Sequence, residues 1–223
     1  MSDFEASAFC TAEEIQLGSR SRSPLQERSQ QRVAAALQAA GQLLERIGPE
    51  ETSIPEIAKE SGVPRASLYQ FYPSKYALFA HLAQIHLLRV EYIVKAALLD
   101  VKGKSWEEIV VLLTDQVADY YDATPVASIL VLGGPFSRSS YLAQEVTIER
   151  VASIIRRFFA LIDPPLIVPE QPDVATLSVE ISFACMKYGY FRENFISAVT
   201  REQASSAAIA YLKVWEQRGR AAS

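Results

Sequence analysis

From Ser29 onward, apolar residues recur at three- and four-residue spacings almost to the end of the chain, broken only at a small set of start and stop signals. Val33, Ala36, Leu37, Ala40, Leu44 and Ile47 fall on one face of a first helix, which Gly48-Pro49 ends. Ser53, with Glu56 three residues on, reads as a capping box for a short second helix; Pro55 lies in its first turn, where a missing N–H does little harm. Ser74 predicts the cap of a longer helix running from about Lys75 through the Leu98 region. Ser105 and Glu108 open another that ends near Asp122. Thr124-Pro125 starts a segment that Gly133-Gly134-Pro135 terminates. Two long helices follow, over about 139–162 and 172–195, separated by the proline-rich stretch 163–169. Thr200 and Gln203 then cap a last helix reaching about Arg218. No segment alternates in a strand-like way between hairpin signals, so the expected fold class is all-α, with about nine helices.

Within this pattern, residues 53–72 combine the parts that a helix-turn-helix requires. Such a unit needs a small residue where its two helices cross, a turn residue able to take positive φ, and apolar anchors on the second helix. Ala58 supplies the first and Gly62 the second, while Ile57, Val63 and Leu68 supply the contacts. Pro64 can open the second helix because its fixed φ is already helical. Arg65, Ser67, Tyr69 and Gln70 then occupy the first turns of that helix, the part that enters a major groove. Arg65 suits a guanine edge or a phosphate and Gln70 an adenine, while the hydroxyls of Ser67 and Tyr69 suit phosphates or base edges. Ser53 at the start of the first helix and Lys75 at the start of the following one complete the candidate DNA-contacting set, with Lys75 expected on a phosphate.

The run from Ile57 through Leu68-Tyr69 to Lys75 resembles the DNA-binding signature of the TetR family of transcriptional regulators, strongly over residues 29–82. It departs at Ala66, where the family usually has glycine, and at Phe71, where it often has histidine; Phe71 is expected to pack inward. The resemblance implies a DNA-binding unit at 29–75 behind a flexible tail at 1–28, and a ligand-sensing and dimerisation domain at 76–223. It also implies double-stranded operator DNA, a second copy of the chain and a small-molecule inducer as partners.

Charge qualifies this picture without reversing it. The net charge is −4, which is unhelpful for binding a polyanion, but residues 20–75 carry eight bases against six acids while 1–19 carry four acids and no base. The arginines Arg20 and Arg22 suit either a solvated arm or a groove contact. Cys10 and Cys185 form no disulfide framework or metal-binding spacing, no secretory signal is evident, and a cytoplasmic location is expected. No apolar run approaches the length of a membrane span.

The helix over 172–195 carries two apolar rows, Leu177-Ile181-Ala184-Tyr188-Phe191-Phe195 and Val179-Phe183-Met186-Tyr190, and a helix apolar on two faces must be covered on both. Paired with the last helix and with a twofold copy, it predicts a four-helix interface containing Phe183, Met186, Tyr190, Leu212 and Trp215. In proteins of the resembling family the intervening helices enclose an inducer pocket, and its candidate lining here is Tyr92, Trp106, Tyr120, Tyr121, Phe136 and Tyr141. Asp115, Asp119 and Asp122 share one helix face, suiting a cationic ligand or simple solvation, and the spacing of His81 and His86 does not suit a metal. No phosphate loop, zinc-protease motif or nucleophile elbow supports an enzyme, and no cofactor or metal is expected. The competing reading is a helical dimer that binds ligands or proteins and has lost specific DNA recognition.

Overall fold

A computed structural model of the chain describes residues 24–222. They form nine helices, and no strand occurs among the described residues. The expected tail at 1–28, with Arg20, Arg22 and Cys10, lies largely outside the described residues; the first helix, α1, begins at Pro24 rather than Ser29 and runs to Glu51. Gly48, at φ 78°, kinks α1 so that Pro49 starts a final separate turn, and Thr52 ties that turn back by donating its hydroxyl to the Gly48 carbonyl at 2.7 Å. Helices α2 (Ile54–Ser61) and α3 (Arg65–Phe71) follow, joined by Gly62 at φ 68°, the left-handed geometry that glycine takes without a Cβ penalty.

The expected capping box on α2 does not form. Ser53 caps with its backbone alone, and its hydroxyl donates instead to the Glu56 carboxylate at 2.7 Å. Ser74 does cap α4 (Lys75–Ala97), accepting from the Ala77 N–H, and Ser105 with Glu108 makes a complete box on α5 (Trp106–Ala123). Beyond Thr124, which contributes no side-chain cap, α6 (Pro125–Ala127) widens into a π turn over Ser128–Leu132 that ends at Gly133. Ser137 caps α7 (Arg138–Phe159) and Asp173 caps α8 (Val174–Glu193). The last helix, α9 (Ala198–Ala222), starts earlier than the expected cap at Thr200. Ser197, not Thr200, receives the free N–H groups there, accepting from the Thr200 amide at 3.4 Å.

Two apolar clusters hold these helices. The first joins Ala36, Ala40 and Leu44 of α1, Ile57, Val63, Leu68 and Tyr72 of the helix-turn-helix and Leu78, Phe79 and Leu82 of α4, then continues into Tyr121, Leu130 and Met186. Phe71 packs partly buried against it, as expected of an inward-turned residue. The second joins Val94, Trp106, Ile109, Val151, Ile155, Phe159, Val174, Ala208 and Leu212. At about 25 cal/mol per Å² of apolar surface, clusters of this kind supply the main driving force for folding.

Between α5 and α9 the acidic row is resolved. Arg201 of α9 donates to Asp122 at 2.7 Å and also to Asp119, and Asp122 accepts the Ile196 N–H at 2.8 Å. Two of the three aspartates thus have their cation within the chain. No helix among the described residues is long and apolar enough to cross a membrane.

Gly133 sits where a Cβ would lie 2.5 Å from the Ile129 carbonyl oxygen, a contact that only a backbone shift could relieve. Gly133→Ala is expected to cost about 1–3 kcal/mol, read as a lower urea midpoint at unchanged slope.

Candidate nucleic-acid interface and interior cavity

Leu68 and Ile57 are fully buried and Val63 nearly so, so α3 is pinned along one side and presents the other outward. Arg65, Tyr69 and Gln70 are exposed on that outward side, with Tyr69 48% accessible. Ser67 is half-buried and accepts from Arg32 of α1 at 3.3 Å. Arg32 also donates to the Arg28 carbonyl. An exposed guanidinium therefore stands beside α3 from an element outside it. Its signal in the sequence was only a base in the first periodic segment, too little to place it next to Ser67. Arg46, by contrast, is engaged with Glu60 at 2.8 Å and braces α1 against α2.

Lys75 has protein partners of its own. Its Nζ donates to the Pro49 carbonyl at 2.9 Å and the Glu50 carbonyl at 2.8 Å, leaving one of an ammonium's three donors for another acceptor. A cation at the start of a helix works against the helix dipole; here the two carbonyls offset that cost and fix the ammonium at the junction of α1 and α4. Ser53 is half-buried at the start of α2 with its hydroxyl already given to Glu56.

Helix α4 carries this unit into the rest of the molecule. The hydroxyl of Tyr72, at the end of α3, lies 2.7 Å from His81 Nδ1 on α4, and that of Tyr120 on α5 lies 2.6 Å from His86 Nδ1 one turn further along. Burial pushes the His86 imidazole below its ordinary range, which favours its neutral form, and its Nε2 is buried without a partner among the described residues. Phe79 of α4 meets Phe136 edge-on at 5.8 Å between centroids.

Beside α4 lies a cavity of about 110 Å³, walled by Leu87, Val90 and Val94 of α4, Val110 to Tyr121 of α5, Gln144 to Phe159 of α7, Ser178 to Met186 of α8, and Ala208 and Leu212 of α9. Of the six aromatics expected to line a pocket, only Tyr121 does so. Tyr92 is 59% and Tyr141 47% exposed. Trp106 is buried against Phe159 in the second cluster, Phe136 packs on Phe79, and Tyr120 is taken by His86. The wall is mainly aliphatic instead, with Phe159 and Phe183 as its other aromatic members, neither of them among the expected six.

The expected dimer residues need a similar correction. Met186 and Leu212 are 3% and 1% exposed, and both, with Phe183, line the cavity, so they face the chain's own interior. Tyr190 and Trp215 are half-buried against the first and second clusters. The other row of α8 is the outward one: Leu177, Ala184, Tyr188 and Phe191 are all exposed, Phe191 at 80%, as is Phe195 just past the helix end. Val199, Ala210 and Val214 of α9 are exposed as well.

Residues 36–82 match the family model described as bacterial regulatory proteins, tetR family. No curated protein matches the chain. Among solved structures, a TetR-family transcriptional regulator from Streptomyces coelicolor is similar over 82% of this chain and 99% of its own, at 19% identity and a TM-score of 0.65. The TetR-family regulator PfmR from Thermus thermophilus is similar over 80% and 92%, at 18% identity and a TM-score of 0.53. The fatty acid degradation regulator FadR from Bacillus halodurans is similar over 83% and 94%, at 12% identity and a TM-score of 0.57. The segment that folds into the helix-turn-helix thus matches the tetR family model, and the chain carrying it has the fold of TetR-family regulators.

Lys75→Met is expected to lower stability by about 1–3 kcal/mol, because it leaves two carbonyls without their charged donor. Urea unfolding checks this in the absence of any nucleic acid.

Proposed function

We propose that the chain is a homodimeric transcriptional repressor that holds a palindromic operator through α3 and releases it when a small molecule enters the cavity beside α4. The observation carrying this reading is the division of α3 into a fully buried side anchored by Leu68 and an outward side bearing Arg65, Tyr69 and Gln70. A recognition helix needs that division, because side chains engaged in the protein's own core are lost to base edges. Residues 29–75 are read as the DNA-binding unit and 76–223 as the sensing and dimerising part. Arg32 joins the contact set as a phosphate ligand beside Ser67. Ser53 and Lys75 serve at the rim, Lys75 through the donor that its carbonyls leave over.

The outward row of α8 is the face offered to a second copy. Tyr188, Phe191 and Phe195 add up to an apolar patch of the kind that marks an association site, and the aligned side of α9, with Ala210 and Val214, extends it. Twofold pairing there sets two α3 helices on one side of the dimer, where a spacing of about 34 Å would match successive major grooves. Release is read as a population shift: ligand binding favours a dimer with α4 displaced and the recognition helices out of register.

Two outcomes test these statements. Selection of bound fragments from random DNA should return a palindrome, and binding to it should weaken steeply with salt; Arg32→Ala and Arg65→Ala should each lower the log–log slope by about one. A product without twofold symmetry would refute the dimeric operator. Phe191→Glu should sediment as a monomer at concentrations where the parent chain is dimeric, with little change in helicity; a variant that stayed dimeric would rule out the α8 face.

A further inference from the structure

The cavity lies between the two apolar clusters and is chemically uneven along its length. Leu87, Val90, Tyr121 and Met186 of its wall belong to the first cluster, and Val94, Val110, Leu113, Val151, Ile155, Phe159, Ala208 and Leu212 to the second. Along α7 the wall runs from Gln144 to Phe159, roughly 20 Å at the rise of an α-helix. Among the described residues, no Asp, Glu, Lys, Arg or His contributes to it.

Six polar residues do contribute, and four of them are occupied. Thr114 donates to the Val110 carbonyl at 2.8 Å, Thr147 to Ala143 at 2.9 Å, Ser178 to Ala175 at 2.8 Å and Ser182 to Ala204 at 3.2 Å. The remaining two are different. Gln144 is only 8% exposed and Tyr121 only 2%, yet among the described residues neither the Gln144 amide nor the Tyr121 hydroxyl has a hydrogen-bond partner. Burial raises the Tyr121 pKa, which keeps its proton available for donation. Both stand at the first-cluster end: Tyr121 is a member of that cluster, and Ala143, next to Gln144, packs against it. Buried polar groups are rarely left unpaired, so two that face the same interior space mark a place where a partner is missing.

We propose that the cavity receives an elongated, uncharged aliphatic molecule with a single hydrogen-bonding head group, held at Gln144 and Tyr121, its chain running between the aliphatic walls toward Phe159. This rests on the reading of the cavity as the ligand site and narrows it to a chemical class. The free volume of about 110 Å³ is roughly the space of eight waters, and so of a chain of about that many carbon atoms. An alcohol, ketone, ester or amide head satisfies an amide and a hydroxyl, each of which can donate and accept. A carboxylate would enter without a counter-cation, and desolvating an unpaired charge is far costlier than desolvating a neutral head.

The test uses the full chain with 1-octanol, sodium octanoate at a pH of about 8 (well above a carboxylate's pKa) and 1-octene as probes, titrated calorimetrically against the parent chain, Gln144→Leu and Tyr121→Phe. The parent should take 1-octanol at least about tenfold more tightly than octanoate. Each variant should weaken 1-octanol by about three- to tenfold and leave 1-octene unchanged, since only the head group loses a partner. Melting temperatures of the unliganded variants should match or exceed the parent's, which separates a lost contact from a damaged fold. Octanoate binding as tightly as octanol, an octanol affinity unmoved in both variants, or no uptake of any probe would each overturn the assignment. Occupancy of the selected operator fragment, followed in the same titrations, distinguishes the two layers. Octanol discrimination without operator release would leave the ligand class standing and refute the release reading, and release by octanoate alone would do the reverse.

Discussion

A single stiff rod, α4, belongs to both halves of the molecule, and every functional statement about the chain depends on it. Its 23 residues span about 34 Å. Leu78, Phe79 and Leu82 at one end complete the core on which α3 is seated, while Leu87, Val90 and Val94 further along wall the cavity. A continuous helix in close-packed surroundings moves as a body, so under the proposed reading a change in the width of the cavity is carried to the base of α3. Side chains on α4 fix its present position. His81 and His86 each meet a tyrosine from a neighbouring helix, and Glu91 pairs with Lys95 on α4 and reaches Arg150 on α7.

The elements around α4 differ in how they are held. On the α5–α9 side Arg201 binds Asp119 and Asp122 and closes the corner through Ile196, giving a rigid abutment. On the α8 side packing is joined by two polar ties, the Ser182 hydroxyl donating to the Ala204 carbonyl of α9 and Arg156 of α7 pairing with the Asp173 cap, on a helix that has apolar residues around most of its circumference. The cavity lies between this polar clamp and a helix whose outward face carries exposed apolar residues.

How much of this was legible in the sequence follows from the range of each signal. Gly62, Ser74 and the Ser105–Glu108 pair act on their immediate neighbours, so they read correctly from a short window, and the helix-turn-helix with them, although Pro64 stands one place ahead of α3 as its extended cap rather than as its first helical residue. The Ser53–Glu56 spacing was right for a capping box, but the two side chains bonded to each other, an alternative that spacing cannot separate. Failures concentrate where two solutions share one pattern. Both rows of α8 are apolar, and only the placement of α5, α7 and α9 shows that Phe183 and Met186 face inward while Tyr188 and Phe191 face out. Aromatic residues were a poor guide to the cavity because large rings fill space in cores as readily as they line it. Arg32 was missed for a third reason, since its value comes from a neighbour 35 residues away.

The hydroxyls of Thr114, Thr147 and Ser178 return their protons to carbonyls of their own helix within three or four residues. Such side chains behave toward the interior as small aliphatic groups, their polarity folded back into the helix that bears them. The chamber is consequently drier than its composition suggests, and the electrostatic cost of filling it with hydrocarbon is concentrated on the two side chains whose polarity is not returned to the backbone.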